Sequence, residues 1–133
     1  MKTLLLFLLI VNCAHLWAQE PAIPAKETIV AVPDEPAQFP GGNGGLRKFL
    51  ADSIHYPAQC TDGACDVKIF VRFVVMADGK VVAPEIMRGA VDCLECDKEV
   101  LRIVRIMPDW IPGKVNGVPV DSYFNLPIQI HSQ

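Results

Sequence analysis

The strongest pattern along the chain is an alternation of side chains over residues 67–76. Every second position there is branched aliphatic or aromatic, and these positions build one apolar face from Val67, Ile69, Val71, Phe73 and Val75. A period of two is typical of a β-strand with one buried face. Asp78-Gly79 follows and favours a type I′ turn, because this dipeptide tolerates positive φ values. The pattern predicts an antiparallel hairpin of strands Val67–Met76 and Val81–Arg88.

Two other segments carry apolar residues at the spacing of one helical face. In the first segment these residues are Leu46, Phe49, Leu50 and Ile54, and in the second they are Val100, Ile103, Val104 and Met107. Proline cannot continue a helix, so we expect the first helix to end before Pro57 and the second before Pro108.

The last element predicted is a strand from Val120 to Ile130, where apolar and polar residues alternate again. Pro127 interrupts this strand and has no amide donor, which indicates a sheet edge or a bulge. The resulting order αββαβ predicts an α+β domain, in which two helices cover one face of a three-stranded antiparallel sheet.

The N-terminal segment resembles a secretory signal peptide. Lys2 precedes an apolar run over residues 4–11, and Ala18 is a small residue at a plausible cleavage position. A membrane anchor is the alternative, but it needs about 20 apolar residues, and Asn12 ends this run early. We therefore expect residues 1–18 to be removed on export to the periplasm, whereas a retained segment would tether the protein.

Residues 19–37 form a proline-rich arm before the domain, which we place at residues 38–133. Four prolines in this arm favour extended backbone, namely Pro21, Pro24, Pro33 and Pro36. Residues 28–32 inside it are β-prone and are expected to add a short edge strand.

Length and charge narrow the classes of function. The 133 residues suit one domain, and a net charge of −3 without any basic run argues against nucleic acid as a partner. The sequence also lacks the motifs of phosphate-binding loops, zinc proteases and serine hydrolases. We therefore predict a protein that is not an enzyme and uses no cofactor or metal.

Four cysteines remain after removal of the signal peptide: Cys60, Cys65, Cys93 and Cys96. In an exported protein this even number favours two disulfides, with three connectivities open. A zinc site with four thiolate ligands is a second interpretation, and thiol chemistry at the C-x-x-C pair is a third.

Two motifs precede the first predicted helix and follow the second: Phe39, Pro40, Gly41 and Gly42, and then Pro108, Trp110, Pro112 and Gly113 in the pattern Pro-x-Trp-x-Pro-Gly. With these motifs, residues 38–133 resemble the TonB C-terminal domain family. The Pro-x-Trp-x-Pro-Gly block makes the match specific, since Phe-Pro-Gly-Gly or an Asp-Gly turn alone is ordinary turn chemistry. Trp110 is interpreted as a core anchor, with an exposed binding aromatic as the alternative.

The resemblance implies a periplasmic module of TonB-dependent transport, which binds an extended segment of an outer-membrane receptor or another envelope protein. Such binding adds the segment as a strand to the sheet. We expect the last strand to be the docking edge, through Val120, Ser122, Tyr123, Asn125 and Gln129. An open edge also favours homodimers. Without a retained anchor, we expect no direct coupling to the proton gradient.

Overall fold

The structure, a computed structural model, describes residues 28–58 and 66–131 and contains two helices and a three-stranded antiparallel sheet there. The elements are α1 (Gly42–Ser53), β1 (Asp66–Val75), β2 (Val81–Arg88), α2 (Leu94–Arg105), β3 (Lys114–Val115), β4 (Val118–Pro119) and β5 (Ser122–His131). The predicted α+β class is confirmed, while coverage of one sheet face by both helices stays a prediction. The predicted signal peptide, residues 1–18, lies outside the described residues.

The sheet has the order β2-β1-β5, so β1 is the central strand. Along β1 and β5, apolar residues lie directly opposite each other, as Ile69 does to Ile128 and Val71 to Leu126. These residues belong to one core cluster with Leu46 of α1 and with residues of α2. The alternation in the sequence therefore corresponds to the buried face of the sheet.

Trp110 is buried at the centre of an aromatic group. Only 4% of Trp110 is exposed, and its ring meets those of Phe39, Phe73 and Phe124 edge-on at centroid distances of 4.8–5.6 Å. Edge-to-face contacts of this kind are favourable because the positive ring edge meets the negative ring face. The interpretation of Trp110 as a core anchor is confirmed.

The predicted type I′ turn between β1 and β2 is wrong. A type I′ turn needs positive φ at both central residues, but here only Gly79 has one, at 93°. The Gly79 N–H donates to the Met76 carbonyl at 2.8 Å, which fits a type I turn followed by a left-handed glycine. Asp-Gly fits this turn too, because the glycine takes the left-handed position. The main-chain N–H of Trp110 donates to the Gly79 carbonyl at 2.7 Å, and a Cβ on residue 79 would clash with the Trp110 carbonyl.

A type I′ turn does occur at Asn116-Gly117, where φ is 51° and 77°. This turn joins β3 and β4, a short hairpin with two residues in each strand that the sequence pattern does not predict. Two residue pairs are too few for an alternating pattern to indicate a strand.

The described part of the arm, residues 28–37, lies on the domain. Val30, Glu35 and Gln38 each form two main-chain hydrogen bonds with the segment 111–123, at 2.8–3.1 Å. Val30 forms a parallel bridge with Ser122, so the β-prone segment does reach the start of β5. The predicted domain boundary after residue 37 stays a prediction.

Candidate docking edge of the sheet

The outer side of β5 is the candidate site, because β5 pairs with β1 on its inner side and, beyond the bridge between Val30 and Ser122, no described residue pairs with its outer side. Its ten residues pair with β1 without any shift of register, from Ser122 opposite Val75 to His131 opposite Asp66. The sequence places β-branched and aromatic residues on the buried face of this strand, which suits a pleated, half-buried surface. The strand therefore offers an edge without bulges toward β1.

The contact with the arm shows which main-chain groups of β5 point outward. The Tyr123 N–H donates to the Val30 carbonyl at 3.0 Å, away from β1. Main-chain groups of a strand alternate in direction, so those of Asn125, Pro127 and Gln129 also point outward. An N–H at position 127 would therefore point away from β1, so its absence in Pro127 removes no hydrogen bond between β5 and β1. The prediction that Pro127 marks an edge is confirmed by the sheet order.

The structure divides the five predicted site residues into two groups. Val120 precedes β5 and donates its N–H to the Gly113 carbonyl at 2.9 Å, and Ser122 is fully buried. Tyr123, Asn125 and Gln129 share the sheet face that points away from the core, and Asn125 and Gln129 are exposed. The arm bonds to Tyr123, so the uncovered part of the edge begins at Asn125.

Two side chains of this face are held by neighbours on β1. The Arg72 guanidinium lies 4.5 Å from the centre of the Tyr123 ring and donates to Glu85 of β2 at 3.0 Å. The side-chain amide of Gln129 donates to the Asp66 carboxylate at 2.8 Å. Such contacts order the polar face of the edge, while leaving its outward main-chain groups unoccupied by any described residue.

A cleft of about 260 Å³ lies beside this edge, between α1 and β5. Its lining residues are Arg47, Leu50, Ala51, Ile54, Tyr56, Pro127, Ile128 and Gln129. The sequence does not predict this cleft, because Leu50 and Ile54 follow the same helical spacing as core residues. Both do pack against the core cluster, but each also faces the cleft.

A side-chain network holds the end of α1, and with it one wall of the cleft. Arg102 of α2 donates to the Ser53 carbonyl at 2.6 Å and to the Glu99 carboxylate, and Glu99 accepts the His55 N–H at 2.7 Å. The hydrogen bond from Arg102 is the main cause that lowers the pKa of Glu99 below its ordinary value of 4.5, and the bond from the His55 N–H lowers it further. Partial burial acts in the opposite direction but is outweighed. The ionised pair therefore fixes the backbone next to Ile54 and Tyr56.

Cys93 and Cys96 form a disulfide at the N-terminus of α2, with their Cα atoms 5.3 Å apart. Both residues are buried in the core cluster, at 6% and 0% exposure. Because each sulfur is already bonded, neither is a thiolate ligand here or a partner for a second cysteine. Cys60 and Cys65 lie outside the described residues, so their pairing stays a prediction. Across residues 28–58 and 66–131, no group of three or more potential metal ligands occurs.

The remaining motif residues shape the entry to α1 and the loop before β5. Gly41 and Gly42 adopt positive φ values of 83° and 71° where the chain enters α1 after Phe39 and Pro40. Gly113 lies against the buried Ser122 hydroxyl, where a Cβ would be 2.7 Å from the oxygen. Pro108 and Pro112 flank the buried Trp110. These residues therefore support the fold beneath the edge.

Comparison with known proteins identifies one family. The family model described as Gram-negative bacterial TonB protein C-terminal matches residues 52–129, from the end of α1 into β5. No curated protein and no solved structure shows significant similarity to the chain. Among the described residues, neither helix is long and apolar enough to cross a membrane.

Proposed function

Because the chain belongs to the TonB C-terminal family, we propose that it binds an extended segment of an outer-membrane receptor or another envelope protein along β5. The family itself implies a TonB-like role in energy transduction at the cell envelope, through protein interaction. The proposed setting is the periplasm, after removal of residues 1–18. In this proposal the protein has no catalytic activity, and its chemistry is main-chain pairing.

The observation that carries this proposal is the outer edge of β5, which keeps a continuous register with β1 and, from Asn125 onward, is not paired with any described residue. Its outward groups are the N–H and C=O of Asn125 and Gln129 and the C=O of Pro127, which follows from the bond between Tyr123 and Val30. An added strand gains hydrogen bonds at such an edge whatever its side chains are. The missing Pro127 donor removes one bond and leaves its neighbours available.

The main-chain donor of Gln129 provides the test. A Gln129→Pro variant loses an outward N–H that the ladder to β1 does not use, so the fold should survive. The matched control is Gln129→Val, which loses the same side-chain amide and keeps the N–H. Titrations would use synthetic peptides covering the periplasmic N-terminal segments of the receptors encoded in the same genome.

For the peptide that binds wild type most tightly, we expect Gln129→Pro to raise the Kd about tenfold and Gln129→Val to change it less than threefold. In the wild-type complex, the amides of Asn125 and Gln129 should become protected from hydrogen exchange. Equal affinity of the two variants, or no gain of protection at these amides, would refute docking at β5.

A further inference from the structure

We propose that a small organic carboxylate with an apolar body binds in a gap of the sheet beside the end of β2. The gap is a cleft of about 450 Å³ between the start of β1 and residues 89–91, which follow β2, and we call it the sheet gap. It lies on the β2 side of the central strand, whereas β5 lies on the other side. The proposal therefore does not depend on docking at β5.

The sheet gap forms because β1 begins before its pairing with β2 does. Asp66 at the start of β1 already pairs with β5, but pairing with β2 begins only at Phe70. Tyr123 points its main-chain groups away from β1, so Val74 opposite it points its own groups away from β5. By the same alternation, the N–H and C=O of Lys68 point into the sheet gap, where β2 provides no partner residue. They are available to a ligand.

Two basic side chains line the sheet gap. Arg88 is exposed and forms no hydrogen bond or ion pair with the described residues, and the Lys68 ammonium lies 5.5 Å from the centre of the Phe70 ring. Among the described residues that line the gap, only Asp66 is acidic, and its carboxylate already accepts a hydrogen bond from Gln129. A free guanidinium beside an open main-chain N–H favours a carboxylate, which arginine binds in bidentate geometry.

The apolar surface of the sheet gap comes from Phe70, Ala90 and Val91. Val91 is 85% exposed, so an apolar ligand that covers it removes aliphatic surface from water. A volume of about 450 Å³ falls within the range of small-molecule pockets. Together with the cations, this surface selects an anion that carries a ring or a short hydrocarbon chain.

The loop that carries Ala90 and Val91 is fixed before a ligand binds. The Ala90 N–H donates to the Asp97 carboxylate at 2.9 Å. The disulfide between Cys93 and Cys96 ties the end of the loop to the first turn of α2. A wall that is already ordered loses little conformational entropy on binding, which favours affinity.

The test uses 3-phenylpropionate as the anion and 3-phenylpropanamide as its uncharged match. Each is titrated into the isotope-labelled exported protein, and amide signals are followed by NMR. We expect 3-phenylpropionate to shift the signals of residues 66–70 and 88–91 with a Kd of about 1 mM. The uncharged match should bind about fivefold more weakly, because it lacks the charge that pairs with Arg88.

Two variants separate the charge from the apolar wall. Arg88→Gln should abolish the preference for the carboxylate, and Val91→Ser should weaken both compounds about threefold. The matched controls are Arg105→Gln and Val118→Ser, because both residues are exposed and neither lines the sheet gap. These controls should leave both Kd values unchanged.

Three results would each overturn the proposal. The first is equal binding of the two compounds to wild type, or no binding of either. The second is a set of shifts confined to residues outside 66–70 and 88–91. The third is an undiminished preference for the carboxylate in Arg88→Gln.

Discussion

The two edge strands of the sheet, β2 and β5, differ in how regularly they pair with the central strand β1. On the β2 side, the register with β1 shifts twice, once between Phe70 and Val71 and once between Arg72 and Val74. Ala83 has a φ of 52° at the second shift, and Pro84 follows it. On the β5 side, the register is continuous over all ten residues.

Each edge contains one proline, but the two prolines have different consequences. Pro84 lies within the second register shift of β2, and bulges and prolines are among the features that discourage pairing at a sheet edge. Pro127 lies in a regular strand, where its missing N–H points outward and the groups on either side remain aligned. We therefore expect the β2 edge to resist pairing with another strand and the β5 edge to accept it.

The largest effect is expected from removing the aromatic anchor beneath the β5 side. Trp110 contacts Phe124 of β5 and Phe73 of β1. Trp110→Ala should lower the free energy of unfolding by about 3–5 kcal/mol, because it leaves a large cavity in the core. Denaturant titration measures this loss. The control is Ile111→Ala, because Ile111 is the next residue and is half-exposed. Its free energy of unfolding should stay within about 0.5 kcal/mol of wild type.

Hydrogen exchange on Trp110→Ala also tests the contrast between the edges. We expect amide protection to fall more in β5 than in β2, because Trp110 contacts the Phe124 ring of β5, whereas β2 contains no aromatic residue. An equal fall in both strands would show that the two edges open as one cooperative unit.

An intermediate effect is expected at the cleft wall beside β5. Glu99→Gln should lower the free energy of unfolding by about 1–2 kcal/mol at neutral pH, because the charged hydrogen bonds to Arg102 and the His55 N–H are weakened. The folded-state pKa of Glu99 lies below its unfolded-state value. Its contribution is therefore present above the unfolded-state pKa near 4.5 and is lost as the pH falls through the folded-state pKa.

Denaturant titrations from pH 7 to pH 3 would check this prediction. The difference between wild type and Glu99→Gln should shrink as the pH falls below about 4.5. Glu95→Gln is the matched control, because Glu95 pairs with Lys98 at the same spacing but on the exposed surface. That control should change stability by less than about 0.5 kcal/mol. A pH-independent difference for Glu99→Gln would contradict the role of its charge.

The smallest effect is expected at the β2 irregularity. Ala83→Gly should raise the free energy of unfolding by about 0.5–1 kcal/mol, since glycine adopts positive φ without the steric cost of a Cβ. Ala77→Gly is the control, because Ala77 lies in the nearby turn without a positive φ and should gain nothing. A loss of stability in Ala83→Gly would mean that the irregularity depends on the Ala83 methyl group.

Much of the fold could be predicted from local patterns. The strand Val81–Arg88 was predicted with its observed bounds, and the predicted Val67–Met76 differs from β1 by one residue at each end. The last strand begins at Ser122 instead of Val120, because the Val120 N–H bonds to Gly113 in the preceding loop. Patterns of period two locate a buried face well and strand ends poorly, because ends depend on partners distant in sequence.

The sequence by itself determined the alternating core face, the two helical segments, the edge signal of Pro127 and the resemblance to the TonB C-terminal family. These features depend on residue type and short spacing. Only the tertiary structure decided that β1 is central, that the arm bonds to the start of β5, and that a cleft forms between α1 and β5. The physical reason is that main-chain direction and side-chain neighbours across strands are set by pairing between distant segments, which local periodicity does not encode.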